Sequence, residues 1–457
     1  MPKIAVSPDV AHDLAGISIP LDRYCTAPTA QNLHTMDAIP ESSPPDLQEF
    51  LHFVRSRSSY FQELWANVAP GAPLSSYPPM DHESYWTIAT SSCRERVLTG
   101  EHLDGIIYKS GGTTGTPKLS LYTQAEQMAD VVYLAKFLRQ SGVRQGDSVA
   151  NLLYVGDLYG GFTGIAFALQ FYPLGVHLPI GGHLPIETML QRLIEHRPTV
   201  VVAIVTQLHR MASLIAGGHA PPLTHVRLLL YGGEAMYEDQ FAEIRRAFPR
   251  ASMKSLVYGS TEAGVMGFCA DDNDRRVHIA NEPAMILEIV DEDGHTILEP
   301  GREGRLLATN LTRRLMPTVR YPTGDSACWV DVKNRKFRLL GRDKVGVRLS
   351  LVSVDTIILR EIVQSLGGSQ GSRSLQIVIE RAASKDRIRL RVTSLSMDKE
   401  QAELEISQAL EKASTMYKEH VHDGVIAPLV VEICPLENFA RSEHSGKVLE
   451  VVDDRMR

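Results

Sequence analysis

The sequence has few cysteines and no apolar stretch long enough to cross a membrane. Its 5 cysteines are odd in number and far apart in the chain of 457 residues, so they indicate neither a disulfide framework nor a Cys-x-x-Cys metal site. No run approaches the ~20 apolar residues of a membrane-spanning helix. The N-terminal stretch also lacks a basic segment followed by an apolar one, so we predict no signal peptide. We therefore expect a cytoplasmic protein without membrane contact.

An excess of positive charge is also missing. Lysine and arginine number 47 against 54 aspartates and glutamates, which gives a net charge of -7. An extended nucleic-acid surface requires an excess of lysine and arginine, so we expect no nucleic-acid partner. A local basic pocket for a small anion is compatible with this balance.

The order of apolar segments predicts an α/β fold in more than one domain, because the length exceeds what one core supports. Residues 1–47 form a Pro/Ser-rich arm. Residues 48–342 are predicted to form a large domain with covered, largely parallel sheets, because apolar strands alternate with helices after Asp104. From Met285 the strands become shorter and hairpin-like. The pattern of residues 343–457 predicts a small α+β domain. Single helices are predicted over 47–68 and 399–420, and a hairpin at Asp293-Gly294.

The most informative segment is a run of glycines and hydroxyl residues that follows an apolar strand. Free N–H groups, hydroxyls and a lysine in such a run can bind phosphate oxygens. It is not a Walker A loop, because Thr116 and Pro117 separate the last glycine from the lysine. For an isolated run of this kind, a flexible surface loop is the ordinary alternative. The candidate phosphate ligands are Ser110, Gly111, Gly112, Thr113, Thr114, Gly115 and Lys118.

Further segments follow in order along the chain. Leu230–Glu234 ends a strand in Gly-Gly, Val257–Glu262 reads V-Y-G-S-T-E, and Tyr321–Asp325 reads Y-P-T-G-D. Gly341–Asp343 reads G-R-D, and Ala440–Val448 reads A-R-S-E-H-S-G-K-V. Taken singly, each has an ordinary explanation, such as a strand-to-helix turn, an Asx turn or a surface charge.

Together these segments resemble the adenylate-forming superfamily, which contains acyl- and aryl-CoA ligases, peptide-synthetase adenylation domains and luciferases. S-G-G-T-T-G-T-P-K is similar to its phosphate loop, Y-G-S-T-E to its Y-G-x-T-E motif and Y-P-T-G-D to its Y-x-T-G-D motif. R-S-E-H-S-G-K resembles the R-S-E-G-K end of phenylacetate–CoA ligases. The resemblance to that branch extends from about Ser58 to the C-terminal end of the sequence.

The resemblance implies a role for each matching residue. Lys447 would contact the attacking carboxylate and the α-phosphate, and Thr261 would contact phosphate. Glu262 would hold Mg²⁺, a cation that takes few carboxylates and keeps phosphate oxygens and waters. Asp325 and Arg342 would bind the ribose. The remaining residues of the implied ATP or AMP site are Gly232, Gly233, Glu234, Tyr258, Gly259 and Ser260, in addition to the phosphate loop.

A glycine- and aromatic-rich segment resembles the stretch that lines the acid pocket in this branch. Its glycines would leave room for a flat ring, and its aromatic residues would form the walls. Packing of helices through small residues is an equally good explanation. The candidate pocket residues are Tyr154, Gly156, Tyr159, Gly161 and Phe162.

These features lead to one main hypothesis and two alternatives. With ATP and Mg²⁺, the protein would convert a small aromatic carboxylic acid to an acyl-AMP, release pyrophosphate and transfer the acyl group to the thiol of CoA. After the hinge at Lys344/Val345, the family reads I-K-I-R-G, whereas this chain has Leu351 in place of the glycine. A carrier-protein thiol or an amine is therefore an alternative acceptor. A nucleotide-binding homologue without catalysis is disfavoured, since Lys447 and Glu262 are both present.

Overall fold

The computed structural model describes residues 46–457 except 111–117, 172–174, 271–273, 343–346, 351, 355, 366–374, 394–397, 442–447, 450 and 456–457. By its contacts the chain divides into Met1–Pro44 and Pro45–Arg457, and every element below belongs to the second unit. Among the described residues, no helix is long and apolar enough to span a membrane.

The described α-helices are α1 (Leu47–Arg57), α2 (Ser59–Leu64), α3 (His82–Ala89), α4 (Gln124–Gln140), α5 (Gly160–Phe171), α6 (Ile186–His196), α7 (Val205–Ala216), α8 (Glu238–Ala247), α9 (Thr356–Ser365), α10 (Lys399–Ala413) and α11 (Thr415–His422). The strands are β1 (Ile106–Lys109), β2 (Leu119–Tyr122), β3 (Asp147–Asn151), β4 (Gly175–Pro179), β5 (Val200–Ala203), β6 (Leu228–Tyr231), β7 (Ser252–Ser255), β8 (Tyr258–Ser260), β9 (Gly264–Cys269), β10 (Val277–Ala280), β11 (Met285–Val290), β12 (Glu303–Asn310), β13 (Tyr321–Asp331), β14 (Lys336–Arg342), β15 (Val347–Leu349), β16 (Val352–Val354), β17 (Leu375–Ala382), β18 (Lys385–Val392), β19 (Val430–Ile433) and β20 (Val451–Asp453).

A parallel sheet of five strands has the order β4-β3-β5-β6-β7. Every residue of β5 and β6 is buried, because one apolar cluster packs on each face of the sheet. Covered strands of this kind consist of continuous apolar runs, which is why the sequence predicts them. The predicted α/β fold with a covered parallel sheet is confirmed.

A second sheet has seven strands in the order β11-β12-β13-β14-β10-β9-β8, and all its pairs are antiparallel. The hairpin predicted at Asp293-Gly294 is reduced to a single bridge between Val290 and Thr296. The Asp291 side chain accepts hydrogen bonds from the backbone N–H groups of Asp293 and His295, at 3.1 and 2.9 Å. This Asx turn satisfies the backbone locally, and β12 takes the place beside β11 instead.

The C-terminal segment is α+β, as predicted. A sheet of four strands, β19-β18-β17-β20, shares an apolar core with residues of α9, α10 and α11. The prediction of one helix over 399–420 is wrong, because Ser414 is extended, ends α10 and accepts a hydrogen bond from Tyr417 N at 3.1 Å. The helix predicted over 47–68 also breaks, at Ser58, which is extended and whose buried hydroxyl donates to Arg96 O at 2.7 Å instead of capping α2.

Candidate active site

The predicted phosphate loop lies at the tip of a β-hairpin. β1 and β2 pair antiparallel, with Lys109 opposite Leu119. Ser110 N donates to Lys118 O at 3.0 Å, which closes the base of the loop. The hairpin therefore fixes where the loop begins and ends. The loop residues Gly111, Gly112, Thr113, Thr114 and Gly115 lie outside the described residues.

The two ends of this loop carry polar groups that suit a phosphate. The Ser110 hydroxyl is buried and has no hydrogen-bond partner among the described residues, although a buried polar group normally has one. Lys118 Nζ lies 2.9 Å from His82 Nε2 and 5.6 Å from the centre of the Trp86 ring. Trp86 donates to the Tyr321 hydroxyl at 3.1 Å, so the loop is connected to the start of the Y-P-T-G-D segment.

The hairpin is also bonded to the Y-G-S-T-E segment. Tyr122, at the end of β2, donates its hydroxyl to Thr261 O at 2.8 Å. The buried Arg313 guanidinium lies 3.7 Å from the centre of the Tyr122 ring. Burial raises the pKa of Tyr122, so the phenol stays protonated and keeps its donor. Thr261 and Glu262 are half-buried in the turn that follows β8.

The turn after β8 needs glycine. A Cβ on Gly259 would lie 2.7 Å from Gly264 O, which is closer than a side chain tolerates. Gly264 itself has a φ of 78°, in the left-handed region that favours glycine. Ser260 Oγ accepts from Ala263 N at 3.0 Å and closes the turn. The peptide groups around Thr261 and Glu262 are thereby held in one arrangement.

The predicted adenine and ribose residues are in direct contact. The Tyr258 hydroxyl donates to Asp325 Oδ2 at 2.6 Å. The Tyr258 ring lies near Phe337 and His278, with centroids 5.8 and 5.9 Å away. Asp325 is paired with Arg342 across β13 and β14, while the side chain of Arg342 is outside the described part.

The adenine-side strand β6 ends in Gly232 and Gly233, followed by Glu234. The Glu234 carboxylate accepts hydrogen bonds from Thr206 N and Thr206 Oγ1, at 2.7 and 2.9 Å, and from the Ser350 hydroxyl. Burial raises the pKa of Glu234, while these hydrogen bonds act in the opposite direction. Glu234 thus links the carboxyl end of the parallel sheet to the segment that follows the predicted hinge.

The predicted acid-pocket segment lies beside β1. Lys109 forms an ion pair with Asp157, and Lys109 N donates to Leu158 O at 2.9 Å. A Cβ on Gly160 would lie 3.1 Å from the Tyr108 ring, so the start of α5 approaches β1 closely. The structure therefore brings the pocket segment and the phosphate hairpin together.

The individual pocket residues differ in exposure. Gly156 and Gly161 are exposed, whereas Tyr154, Tyr159 and Phe162 are half-buried. The Tyr154 and Tyr159 ring centroids are 6.5 Å apart. Tyr154 and Phe162 also pack against the core on one face of the parallel sheet. Both explanations considered for this segment therefore find support in the packing.

Lys447 and Leu351 lie outside the described residues. Conversely, residues that sequence reasoning missed lie around the site, among them Tyr122, Arg313 and Thr206. In the sequence, Tyr122 is an aromatic residue in an apolar strand and indicates only core. Its partner Thr261 is 139 positions away, and no local pattern reports a contact of that range.

Comparison with known proteins now identifies the family. The model of the family described as "AMP-binding enzyme" matches residues 48–311. The phenylacetate–coenzyme A ligase of Aromatoleum evansii is 28% identical over 227 residues, 48% of this chain and about half (49%) of that protein. The enzyme of the same name from Pseudomonas putida is 26% identical over 368 residues, 77% of this chain and 78% of that protein.

A solved structure has the same fold. It is a 2-hydroxyisobutyryl-CoA ligase in complex with 2-HIB-AMP and CoA in the thioesterification state, with a TM-score of 0.66 and 19% identity over 90% of this chain and 88% of that chain. The chain belongs to the AMP-binding enzyme family, in the phenylacetate–CoA ligase-like branch of the adenylate-forming superfamily, and is an enzyme of the AMP-forming acid–thiol ligase type.

Proposed function

We propose that this protein uses ATP to activate a small aromatic carboxylic acid as an acyl-AMP, releases pyrophosphate and then transfers the acyl group to the thiol of CoA. Family membership supports acid activation and CoA transfer in general. The half-buried rings of Tyr154 and Tyr159 beside β1 support an aromatic acid, because flat rings pack well against aromatic walls.

One observation carries the proposal most directly. The hydroxyl of Tyr122 on the phosphate hairpin donates to the carbonyl of Thr261 at 2.8 Å. This bond ties the strand that follows the phosphate loop to the turn that would hold phosphate and metal. A site for a nucleoside triphosphate requires these two segments to be adjacent.

The residues around the turn fit a magnesium ion. Glu262 is half-buried in a turn fixed by glycine and serine. Ser110, at the base of the phosphate loop, separately offers a buried hydroxyl without a partner among the described residues. Mg²⁺ takes oxygen ligands and is bound through one or two carboxylates together with substrate phosphates. When bound, it would neutralise charge on the phosphates, and Glu262 would hold it.

Other residues would orient the substrates. Asp325, fixed by Tyr258, would accept hydrogen bonds from the ribose hydroxyls. Lys118 and the loop N–H groups would bind phosphate oxygens. Lys447 would place a positive charge between the carboxylate and the α-phosphate, where negative charge grows in the transition state.

Pyrophosphate exchange tests the first half of this proposal. The exchange is measured against a panel of aromatic, aliphatic and amino acids, and a thioester assay with and without CoA follows for each acid that supports it. We expect exchange with an aromatic acid, and Lys447→Ala should lower it by about two to three decades while ATP binding persists. Absence of exchange with every acid, or near-normal exchange in Lys447→Ala, would contradict the proposal. Acyl transfer only to a carrier protein or an amine would replace CoA as the acceptor.

A further inference from the structure

A buried glutamine bonds to the residues on either side of 442–447, the part of the sequence that contains Lys447. Gln376, in β17, is 0% exposed. Its carboxamide oxygen accepts from Ala440 N at 3.0 Å, and its nitrogen donates to Ala440 O at 3.0 Å and to Leu449 O at 2.7 Å. A buried amide is costly unless its donors and acceptors are satisfied. Here both N–H donors of the amide are used on the two segments that flank residues 442–447.

Those two segments, residues 440–441 and 448–449, are bonded side by side, and together we call them the neck. Leu449 N donates to Ala440 O at 2.9 Å, and Arg441 pairs with Val448 in an antiparallel bridge. Ala440 O therefore receives both the Leu449 amide and the Gln376 amide. Residues 442–447 connect the two sides of the neck, and Lys447 directly precedes Val448.

The glutamine is itself held by the sheet. Gln376 is opposite Arg391 on β18, and Arg391 Nη1 donates to Gln376 Oε1 at 3.4 Å. On the other side, β17 pairs with β20 from Ile377 onwards. The Gln376 amide thus fixes the neck relative to β17, a strand that is paired on both sides within the sheet.

We infer that Gln376 is the positioning residue for the catalytic lysine: its amide holds the residues on either side of 442–447 in register, which the proposed action of Lys447 on the acyl and phosphate groups requires. This inference rests on the role proposed for Lys447. In that proposed role Lys447 acts while the adenylate forms, so Gln376 should matter for that step and little for the transfer to a thiol.

The test compares Gln376→Met, which keeps length but loses the hydrogen bonds, with Gln408→Met on the exposed side of α10. Gln376→Met should lower kcat of pyrophosphate exchange about ten- to hundredfold, because small misplacements of catalytic groups have effects of this size. The KM for ATP should change less than about twofold, and thioester formation from a synthetic acyl-AMP should be unaffected. Gln408→Met should leave both half-reactions unchanged. Equal losses in both half-reactions, or no loss in exchange, would overturn the inference.

A second variant keeps the test valid if Gln376→Met folds poorly. Gln376→Glu has the shape of glutamine, but its carboxylate has no donor for Ala440 O or Leu449 O. Arg391 lies 3.4 Å from the side-chain oxygen of residue 376 and would keep the new carboxylate charged at neutral pH. Gln376→Glu should therefore lower exchange at least as much as Gln376→Met and spare thioester formation from acyl-AMP, whereas near-normal exchange would count against positioning through these hydrogen bonds.

Lys447→Ala separates the two possible failures. If Lys447→Ala exchanges normally, the proposed role of the lysine is wrong and the Gln376 inference falls with it. If Lys447→Ala is inactive while Gln376→Met exchanges normally, only the Gln376 inference fails. In the double variant we expect no loss beyond that of Lys447→Ala, because residues that act through one another are not additive.

Discussion

Asp325 and Tyr258 show how single residues prepare a binding site before any ligand arrives. The 2.6 Å bond from the Tyr258 hydroxyl occupies one carboxylate oxygen of Asp325 and fixes the orientation of the other. Gly324, with a φ of 78°, lets the chain turn immediately before the aspartate. A ribose would therefore meet a carboxylate that is already aligned, with little ordering cost.

The first prediction concerns this pair. Asp325→Ala should raise the KM for ATP and change kcat little, because the ribose lies away from the reacting phosphorus and its contacts are the same in ground and transition states. Loss of charged hydrogen bonds of about 1.5–3 kcal/mol corresponds to roughly ten- to hundredfold in KM. Steady-state exchange kinetics provide the measurement.

Tyr258→Phe is the matched comparison, since it removes only the hydroxyl. A smaller increase in KM is expected from it, because Asp325 keeps its charge. A large fall in kcat at saturating ATP in Asp325→Ala, with KM unchanged, would contradict a ribose role.

Asp130 illustrates a residue whose ionisation is set by its surroundings. It lies on α4, and a Cβ on Gly264 would come within 3.1 Å of its Oδ2. Burial raises the pKa of Asp130 to about 7, although the buried cation of Arg313 acts against this rise and Glu126 adds to it. The folded protein therefore keeps a proton that the unfolded chain releases above pH ~4.

The second prediction follows from the sign of this shift. The stabilising contribution of Asp130 is complete below the unfolded pKa of ~4 and is lost as the pH rises through about 7. The unfolding free energy of Asp130→Asn minus that of wild type should therefore rise by about 3 kcal/mol between pH 5 and pH 8. Urea unfolding at both pH values measures it, with the exposed Asp293→Asn as control. A constant difference across this range would show that Asp130 ionises normally.

Arg320 joins three separate segments of the molecule. It is 2% exposed and donates to Glu288 Oε2 at 3.0 Å. The same guanidinium donates to the carbonyls of Ser75 and Gly294, at 3.3 and 3.1 Å, and to that of Tyr77. The start of β13 is thereby bonded to β11, to the turn after it and to the segment that precedes α3.

The third prediction is that Arg320→Met destabilises the protein by about 3–5 kcal/mol, because it leaves Glu288 buried without its cation. Arg302→Met, at an exposed arginine near the same sheet, should change stability by less than about 0.5 kcal/mol. The double variant Arg320→Met/Glu288→Met should be closer to wild type than the single one. Thermal and urea unfolding distinguish these cases, and equal stability of Arg320→Met and Arg302→Met would exclude the buried-pair argument.

The elements show where sequence patterns are sufficient and where they fail. β5 and β6 are predictable because both their faces are covered and their residues are uniformly apolar. The breaks at Ser58 and Ser414 are not, because the apolar spacing continues through both serines. A serine hydroxyl that bonds to the backbone competes with the helix, and its effect depends on a partner such as Arg96 O.

At the scale of the whole molecule, the segment after the predicted hinge is tied to the parallel sheet. Ser350 bonds to Thr206 Oγ1 at 2.9 Å and to Glu234, while Ser350 N donates to Asp386 at 2.9 Å. Thr206 lies at the start of α7 and Asp386 in β18. Leu351 therefore follows a residue that is bonded both to the carboxyl end of the parallel sheet and to β18 of the C-terminal sheet.

The fourth prediction is that Leu351→Gly increases the rate of thioester formation with CoA about tenfold, since a bulky residue where the family has glycine would narrow the thiol path. The adenylation half-reaction serves as the internal control and should not change. Rapid thioester formation by the wild type, with no gain in Leu351→Gly, would rule out this obstruction. A gain restricted to Leu351→Gly would point to a different natural acceptor.

The site as a whole was partly predictable from the sequence. The segments around Ser110, Tyr258 and Asp325 have distinctive residue patterns, and the structure brings them together. The Tyr122–Thr261 bond that connects two of them joins residues 139 positions apart, and the Gln376–Ala440 bond in the C-terminal sheet joins residues 64 positions apart. These contacts depend on the topology of the sheets and have no local signature. The domain boundary at residue 342 stays a prediction.

The order of strands in the antiparallel sheet has a practical consequence for anyone who wants to express part of this protein. The family match ends at residue 311, but β13 and β14 lie beyond it in sequence and in the middle of the sheet, between β12 and β10. A fragment that stops at 311 would separate β11 and β12 from β8, β9 and β10, and would expose unpaired strand edges on both halves. Such edges promote aggregation, so the shortest fragment that keeps this sheet intact must continue through Arg342.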